Sequence, residues 1–139
     1  MPGEALPEVE LPKLGGGSQA VVAAGGALLV NFWATWCPPC LAEMAALDRL
    51  HRALSPRGLR VFGIAVDNDI FQVDEYVRRH RLAFPILLDV GGTMARQLFR
   101  VPGYPTSYLA GPAGRIAERW IGEQAWDAAD VRGRVERVL

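Results

Sequence analysis

Leu28-Leu29-Val30-Asn31-Phe32-Trp33-Ala34-Thr35-Trp36-Cys37-Pro38-Pro39-Cys40 decides how the rest of the chain is read. Its apolar run, broken only by Asn31, suits a central strand buried on both faces of a sheet. The run ends at the chain's two cysteines, three positions apart. Thiols at that spacing can form and break a disulfide with little backbone motion. With Cys37 just before a helix and Pro38 at its first position, the missing proline N–H costs nothing. The free N–H groups and positive dipole end then favour a thiolate, which makes Cys37 the attacking sulfur. Cys40, one turn further in, is expected to be more buried and to resolve a mixed disulfide on Cys37.

Three plainer roles compete. A structural staple closing so short a loop removes little unfolded-chain entropy and stabilises poorly. A structural zinc site needs four ligands, and one Cys-x-x-Cys supplies two. The only histidines, His51 and His80, stand at no recognised spacing from it, so no metal and no other cofactor is expected. A pair of inert buried thiols is the third.

Outward from this stretch, 139 residues fit one domain with a real core. The 15 basic and 15 acidic residues cancel, which leaves no electrostatic footprint for nucleic acid or an anionic membrane. Fourteen of the basic residues are Arg, read as base-composition bias in a chain rich in Ala and Gly. No apolar run approaches the ~20 residues that span a bilayer. The start, Met1-Pro2-Gly3-Glu4, has neither the charge nor the apolar segment of a signal peptide. A cytoplasmic protein or the soluble part of a longer one would both read this way.

Residues 1–18, rich in Pro and Gly, read as an extended, partly paired lead-in, with the domain proper over 19–139. Strands are expected near 19–23, over 27–33, 59–66, 84–88, 106–110 and 115–121. Helices are expected from 39 to about 54, over 70–81, over 93–99 and at the C-terminus. The apolar spacing of Met44, Leu47, Leu50 and Leu54 supports the first of these. Strands and helices alternate early, and a hairpin and helix follow. That order predicts an α/β fold, a mixed sheet with helices on both faces. Glu43 lies three positions after Cys40 on the same side of that helix. It is either a proton acceptor for Cys40 or an exposed helix glutamate. Asn31 cannot titrate and reads as a hydrogen-bonded polar residue in the sheet.

Residues 28–40 with Glu43 closely resemble the thioredoxin superfamily, in its TlpA/ResA-like branch of bacterial thiol–disulfide oxidoreductases, with DsbE-type relatives. Gly63-Ile64-Ala65-Val66-Asp67, Phe84-Pro85-Ile86-Leu87-Leu88-Asp89 and Gly103-Tyr104-Pro105-Thr106-Ser107-Tyr108-Leu109 follow in the expected order. Residues 70–88 look like the helix and strand that this branch adds to plain thioredoxin. The resemblance implies a thioredoxin-like fold and a redox-active Cys37–Cys40 pair whose dithiol form reduces client protein disulfides. It implies catalytic Cys37, Cys40 and Glu43, the last replacing the buried Asp that plain thioredoxin has at Asn31. It implies a cis Pro105, and substrate contacts from Trp36, Tyr104, Pro105 and Thr106. The implied partners are disulfide-bearing clients and a membrane-bound thiol reductase as electron donor. The implied location is the periplasm or the outer face of the membrane. An unremarkable surface composition suggests a monomer.

Two departures qualify the resemblance. The leader or anchor usual in the branch is absent from this sequence. Thr106 stands where cytochrome-maturation relatives often carry Glu, so cytochrome c maturation is an alternative, not the lead. A peroxiredoxin-like thiol peroxidase is the rival of another class. Its Pro-x-x-x-Thr-x-x-Cys setting is missing here, because Thr35 lies too close to Cys37 and the proline is absent.

Overall fold

The computed structural model describes residues 3–139; Met1 and Pro2, at the head of the expected lead-in, lie outside them. The chain runs β1 (Val9–Pro12), β2 (Ser18–Val21), β3 (Leu28–Trp33), α1 (Pro38–Leu54), β4 (Arg60–Ala65), α2 (Ile70–His80), β5 (Ile86–Leu88), α3 (Thr93–Gln97), β6 (Thr106–Ala110), β7 (Ile116–Ile121) and α4 (Ala129–Glu136). Five strands form one mixed sheet in the order β5-β4-β3-β6-β7. β3, β4 and β5 are parallel; β6 and β7 run antiparallel to their neighbours. With its flanking helices this is a thioredoxin-like α/β fold. α2 and β5 form the added helix and strand.

All six residues of β3 are buried, Asn31 included. Such a strand needs cover on both faces, which the helices supply. α1 turns Cys40, Glu43, Met44, Leu47, Leu50 and Leu54 inward. Burying each of the Leu and Met side chains contributes roughly 1.5–3 kcal/mol. Gly58, at φ 101°, stops the helical turn that extends α1 and reverses the chain into β4.

The N-terminal segment closes both edges of the sheet. Leu14 N–H donates to Ile86 O (2.9 Å), on the β5 edge. At the other edge Gly3 N–H donates to Ile116 O (2.7 Å) and Ile116 N–H to Glu4 O (2.7 Å). Between these ties β1 pairs with β2, and Leu6 and Leu11 enter the core. Unpaired strand edges are templates for association, and here the chain's own start covers them.

Element ends differ from the sequence pattern where the backbone chemistry changes. β5 begins at Ile86, not at residue 84, because Pro85 has no N–H to give the ladder. Pro85 O still accepts from Gly63 N–H at 3.0 Å. α3 stops at Gln97; Leu98 and Phe99 N–H both fold back onto Met94 O.

Gly63, in β4, shows how closely the sheet face is packed. A Cβ there would stand 2.7 Å from the Phe84 ring and 3.2 Å from Trp33 Nε1. We expect Gly63→Ala to lower stability by about 1–3 kcal/mol, as overpacking does in a full core. Urea unfolding should show a lower midpoint at an unchanged slope.

Candidate active site

β3, β4 and β5 end at one edge of the sheet, where ligands of open α/β sheets gather. β6 begins at that edge and β7 finishes there, since Thr106 pairs with both Phe32 and Ile121. The loop from β3 therefore carries Trp36 and Cys37 toward the segment holding Tyr104 and Pro105. The Tyr104–Pro105 peptide bond is cis. The Trp36 and Tyr104 rings meet edge to face at 5.9 Å between centroids.

Cys37 caps α1 in extended conformation (φ −110°, ψ 99°), and Pro38 takes the first helical position. Its sulfur accepts the Cys40 backbone N–H at 3.3 Å and is joined to Cys40 Sγ in a disulfide. Both sulfurs are well covered, Cys40 completely, while Trp36 beside them is 62% exposed. Thr35 ties this loop to the end of β4. Its N–H donates to Asp67 Oδ1 (3.1 Å) and its hydroxyl donates to Asp67 Oδ2. Asp67, itself buried, so locks two loops of the site together.

Glu43 is not an exposed helix glutamate: its residue exposure is 1%. Oε1 accepts from Asn31 Nδ2 (2.8 Å) and Oε2 from the Gln124 N–H (2.8 Å). Asn31 Nδ2 also donates to Ser107 Oγ at 2.9 Å, across the β3–β6 register. Burial pushes the Glu43 carboxyl up from 4.5 to about 7. The hydrogen bonds from Gln124 and Asn31 pull it down by less, and the nearby Glu123 charge adds to the rise. The Trp126 indole N–H pulls downward too, although it forms no hydrogen bond of normal geometry among the described residues. A carboxyl that titrates near neutrality can take or give a proton there.

Tyr104 is half-buried, which raises its phenol pKa, while the Arg96 charge lowers it. Gly92 makes room for the ring: a Cβ there would lie 2.9 Å from the Tyr104 hydroxyl oxygen. Pro105 and Thr106 are buried, and the Thr106 hydroxyl donates to Gly103 O at 2.6 Å. Among the described residues no cluster of three or more His, Cys, Asp or Glu could hold a metal ion. A cavity of about 610 Å³, lined in part by Gly25, His51, Gly58 and Arg60, opens at the opposite end of the sheet and contains no thiol-site residue.

The pattern of residues did not reveal four contributors. Asp67 carried a trace, as the charged residue that ends an apolar strand. Ser107 and Trp126 looked like ordinary sheet and core residues. Gln124 acts through its backbone N–H, which no side-chain pattern could disclose.

A profile of the AhpC/TSA family matches residues 2–119, and the chain belongs to that family. The thiol-disulfide oxidoreductase ResA of Oceanobacillus iheyensis is 33% identical over 94 residues, covering 68% of this chain and 48% of that protein. The chain spans only about half the length of that relative. The thioredoxin-like protein YneN of Bacillus subtilis is 33% identical over 124 residues, covering 86% of this chain and 71% of that one. Among solved structures, a thiol:disulfide interchange protein of the thioredoxin family from Chlorobium tepidum superposes with a TM-score of 0.84. It is 23% identical, with 98% of this chain and 96% of that one covered. StoA from Bacillus subtilis superposes at 0.78, with 20% identity and coverage of 93% and 96%. These two likenesses establish the fold.

The raised Glu43 pKa has a sign. Between about pH 4.5 and 7 the folded chain holds a proton that the unfolded chain releases. The stability tied to that proton is fully present below 4.5 and is lost as pH rises through 7. We expect the oxidised protein to lose up to about 3 kcal/mol across this window. Glu43→Gln should flatten the curve, as read by urea unfolding at a series of pH values.

Proposed function

We propose that this chain is a thiol–disulfide oxidoreductase that reduces disulfides of client proteins through Cys37 and Cys40. One observation carries the reading. A helix-capping sulfur stands next to a fully buried one, and a buried carboxyl that titrates near pH 7 lies one turn further along the same helix.

The Cys37 thiolate attacks one sulfur of the client disulfide and forms a mixed disulfide. The other client sulfur leaves as a thiolate and takes a proton from water. Glu43 accepts the Cys40 proton, and the Cys40 thiolate attacks Cys37 Sγ. The second client thiolate leaves, the Cys37–Cys40 disulfide closes, and two electrons have passed to the client. The return to the dithiol needs a thiol reductant, which we assign to a membrane-bound reductase. The working location is then the extracytoplasmic side of the membrane, with this chain acting as a monomer. Among the described residues no helix is long and apolar enough to cross a membrane.

A protein client is favoured over a small oxidant by the surroundings of the thiols. Trp36, Ile70, Phe71, Val90 and Ile121 are exposed apolar side chains, and all five follow or end strands at the thiol edge. Phe71 is 85% exposed. Such a rim suits a polypeptide segment and offers nothing to hydrogen peroxide.

Two experiments test the reading. An equilibrium titration of the dithiol, followed by tryptophan fluorescence, should give a midpoint of about −230 mV or lower, among the reductants. A value near −120 mV would reverse the direction of electron flow. Cys40→Ser should arrest the reaction at a mixed disulfide on Cys37, isolable with a reducible protein substrate; its absence would remove the attacking role.

Trp36 supplies a separate prediction. Trp36→Ala should raise KM for a protein disulfide about five- to tenfold, the loss of an exposed aromatic anchor. Exchange with a small disulfide should be almost unchanged. Equal losses on both substrates would place Trp36 in the chemistry and not in client contact.

A further inference from the structure

Asn31 leaves one end of its amide unused. Nδ2 donates to Glu43 Oε1 and Ser107 Oγ, while Oδ1 is buried with no partner among the described residues. An unpaired buried carbonyl costs about 1–3 kcal/mol, so its retention in the middle of the sheet asks for a reason. Both present acceptors are reversible. A serine hydroxyl accepts or donates, and a carboxyl accepts when ionised and donates when protonated. Gln124 N–H occupies Oε2 in either state, which leaves Oε1 as the oxygen that takes a proton.

We infer that Asn31 is the positioning residue of the proton step: its side-chain amide turns over, presenting Nδ2 to Glu43 and Ser107 when Glu43 is ionised and Oδ1 when Glu43 carries a proton. In the first orientation Nδ2 donates twice. In the second, Glu43 Oε1–H and Ser107 Oγ–H both donate to Oδ1. Each orientation makes two hydrogen bonds and leaves one amide end unpaired, so turnover changes neither count. The proton moves from Cys40 Sγ to Glu43 Oε1 and later to solvent. An aspartate at position 31 would add a second charge, and a leucine would offer neither hand. The inference rests on Glu43 being the proton acceptor proposed above.

The groups facing this carboxyl are few. Cys40 lies on its own helix, one turn away, and β6 contributes the neutral Ser107 hydroxyl. The segment after β7 brings the Glu123 carboxylate, the Gln124 N–H and the Trp126 indole. Among the described residues Glu123 adds a like charge that raises the Glu43 pKa, and it does not change the amide argument.

Nuclear magnetic resonance of the 15.2 kDa oxidised protein can follow the Asn31 side-chain NH₂ and the Glu43 carboxyl carbon together from pH 5 to 9. The Asn31 signals should move with the same midpoint as the Glu43 carboxyl and stay fixed in Glu43→Gln. Asn31→Leu should slow resolution of the mixed disulfide about tenfold at pH 7. Its rate profile should also shift upward by about one pH unit, because the charged form of Glu43 loses a donor. A Glu43 that titrates beside an unmoved Asn31 amide would overturn the inference. So would an Asn31→Leu variant that resolves at the parent rate across the range. If Glu43 itself did not titrate between pH 5 and 9, its role as proton acceptor would fall and Asn31's with it. Exchange at Cys37 and Cys40 would be untouched by that result.

Discussion

β3 has no exposed side chain, and the rest of the architecture follows from covering it. A strand buried on both faces must lie inside the sheet and beneath helices, so its hydrogen bonds are taken by β4 on one side and β6 on the other. Its direction fixes where the thiol loop emerges. The antiparallel β6 must then start where β3 ends, which brings Tyr104 and Pro105 to the same edge. A polar residue inside such a strand cannot reach water. Asn31 is therefore obliged to find partners in the protein, and it finds Glu43 on α1 and Ser107 on β6.

Much of this was legible because the signals were local. The apolar run of 28–33, the spacing of Met44, Leu47, Leu50 and Leu54, and the Cys37-Pro38-Pro39-Cys40 turn each report their own conformation. The resemblance supplied the thioredoxin-like class of sheet and the added helix and strand, which periodicity alone left open; the order of strands in the sheet came from the structure. Partial pairing of the lead-in was expected, but which sheet edges residues 3–14 cover was not legible, since isolated backbone bridges carry no side-chain pattern. The state of Glu43 was hidden for a related reason. Its burial is imposed by the segment around Gln124, 81 positions away in sequence. Spacing could show that Glu43 shares a face with Cys40, but not that the face is sealed.

The surface separates into two ends with different characters. At the thiol edge, apolar side chains that could have been polar stand in water around the disulfide. At the opposite end a cavity lies among Gly25, Gly58 and Arg60. The cavity lies away from the disulfide, and the client proposed above would need a rim more than a hollow. The Thr35–Asp67 lock matters here. It ties the loop carrying Cys37 to the loop that leads into Ile70 and Phe71, so the sulfur and the outer rim keep a fixed relation.

The buried carboxyl sets stability against chemistry. A glutamate left in water would titrate near 4.5 and be a poor base for a thiol of ordinary pKa near 8.5. Burial lifts Glu43 to about 7 and shortens that gap. The same burial makes the ionised fold less stable than an apolar residue would. Two donated hydrogen bonds limit the loss without cancelling it, since full compensation would return the pKa to the range of a surface carboxylate. Asn31 suits that compromise better than an arginine or lysine would. A neutral donor holds the carboxylate in place and lowers its pKa only modestly, whereas a cation would keep it ionised and leave it a weak base.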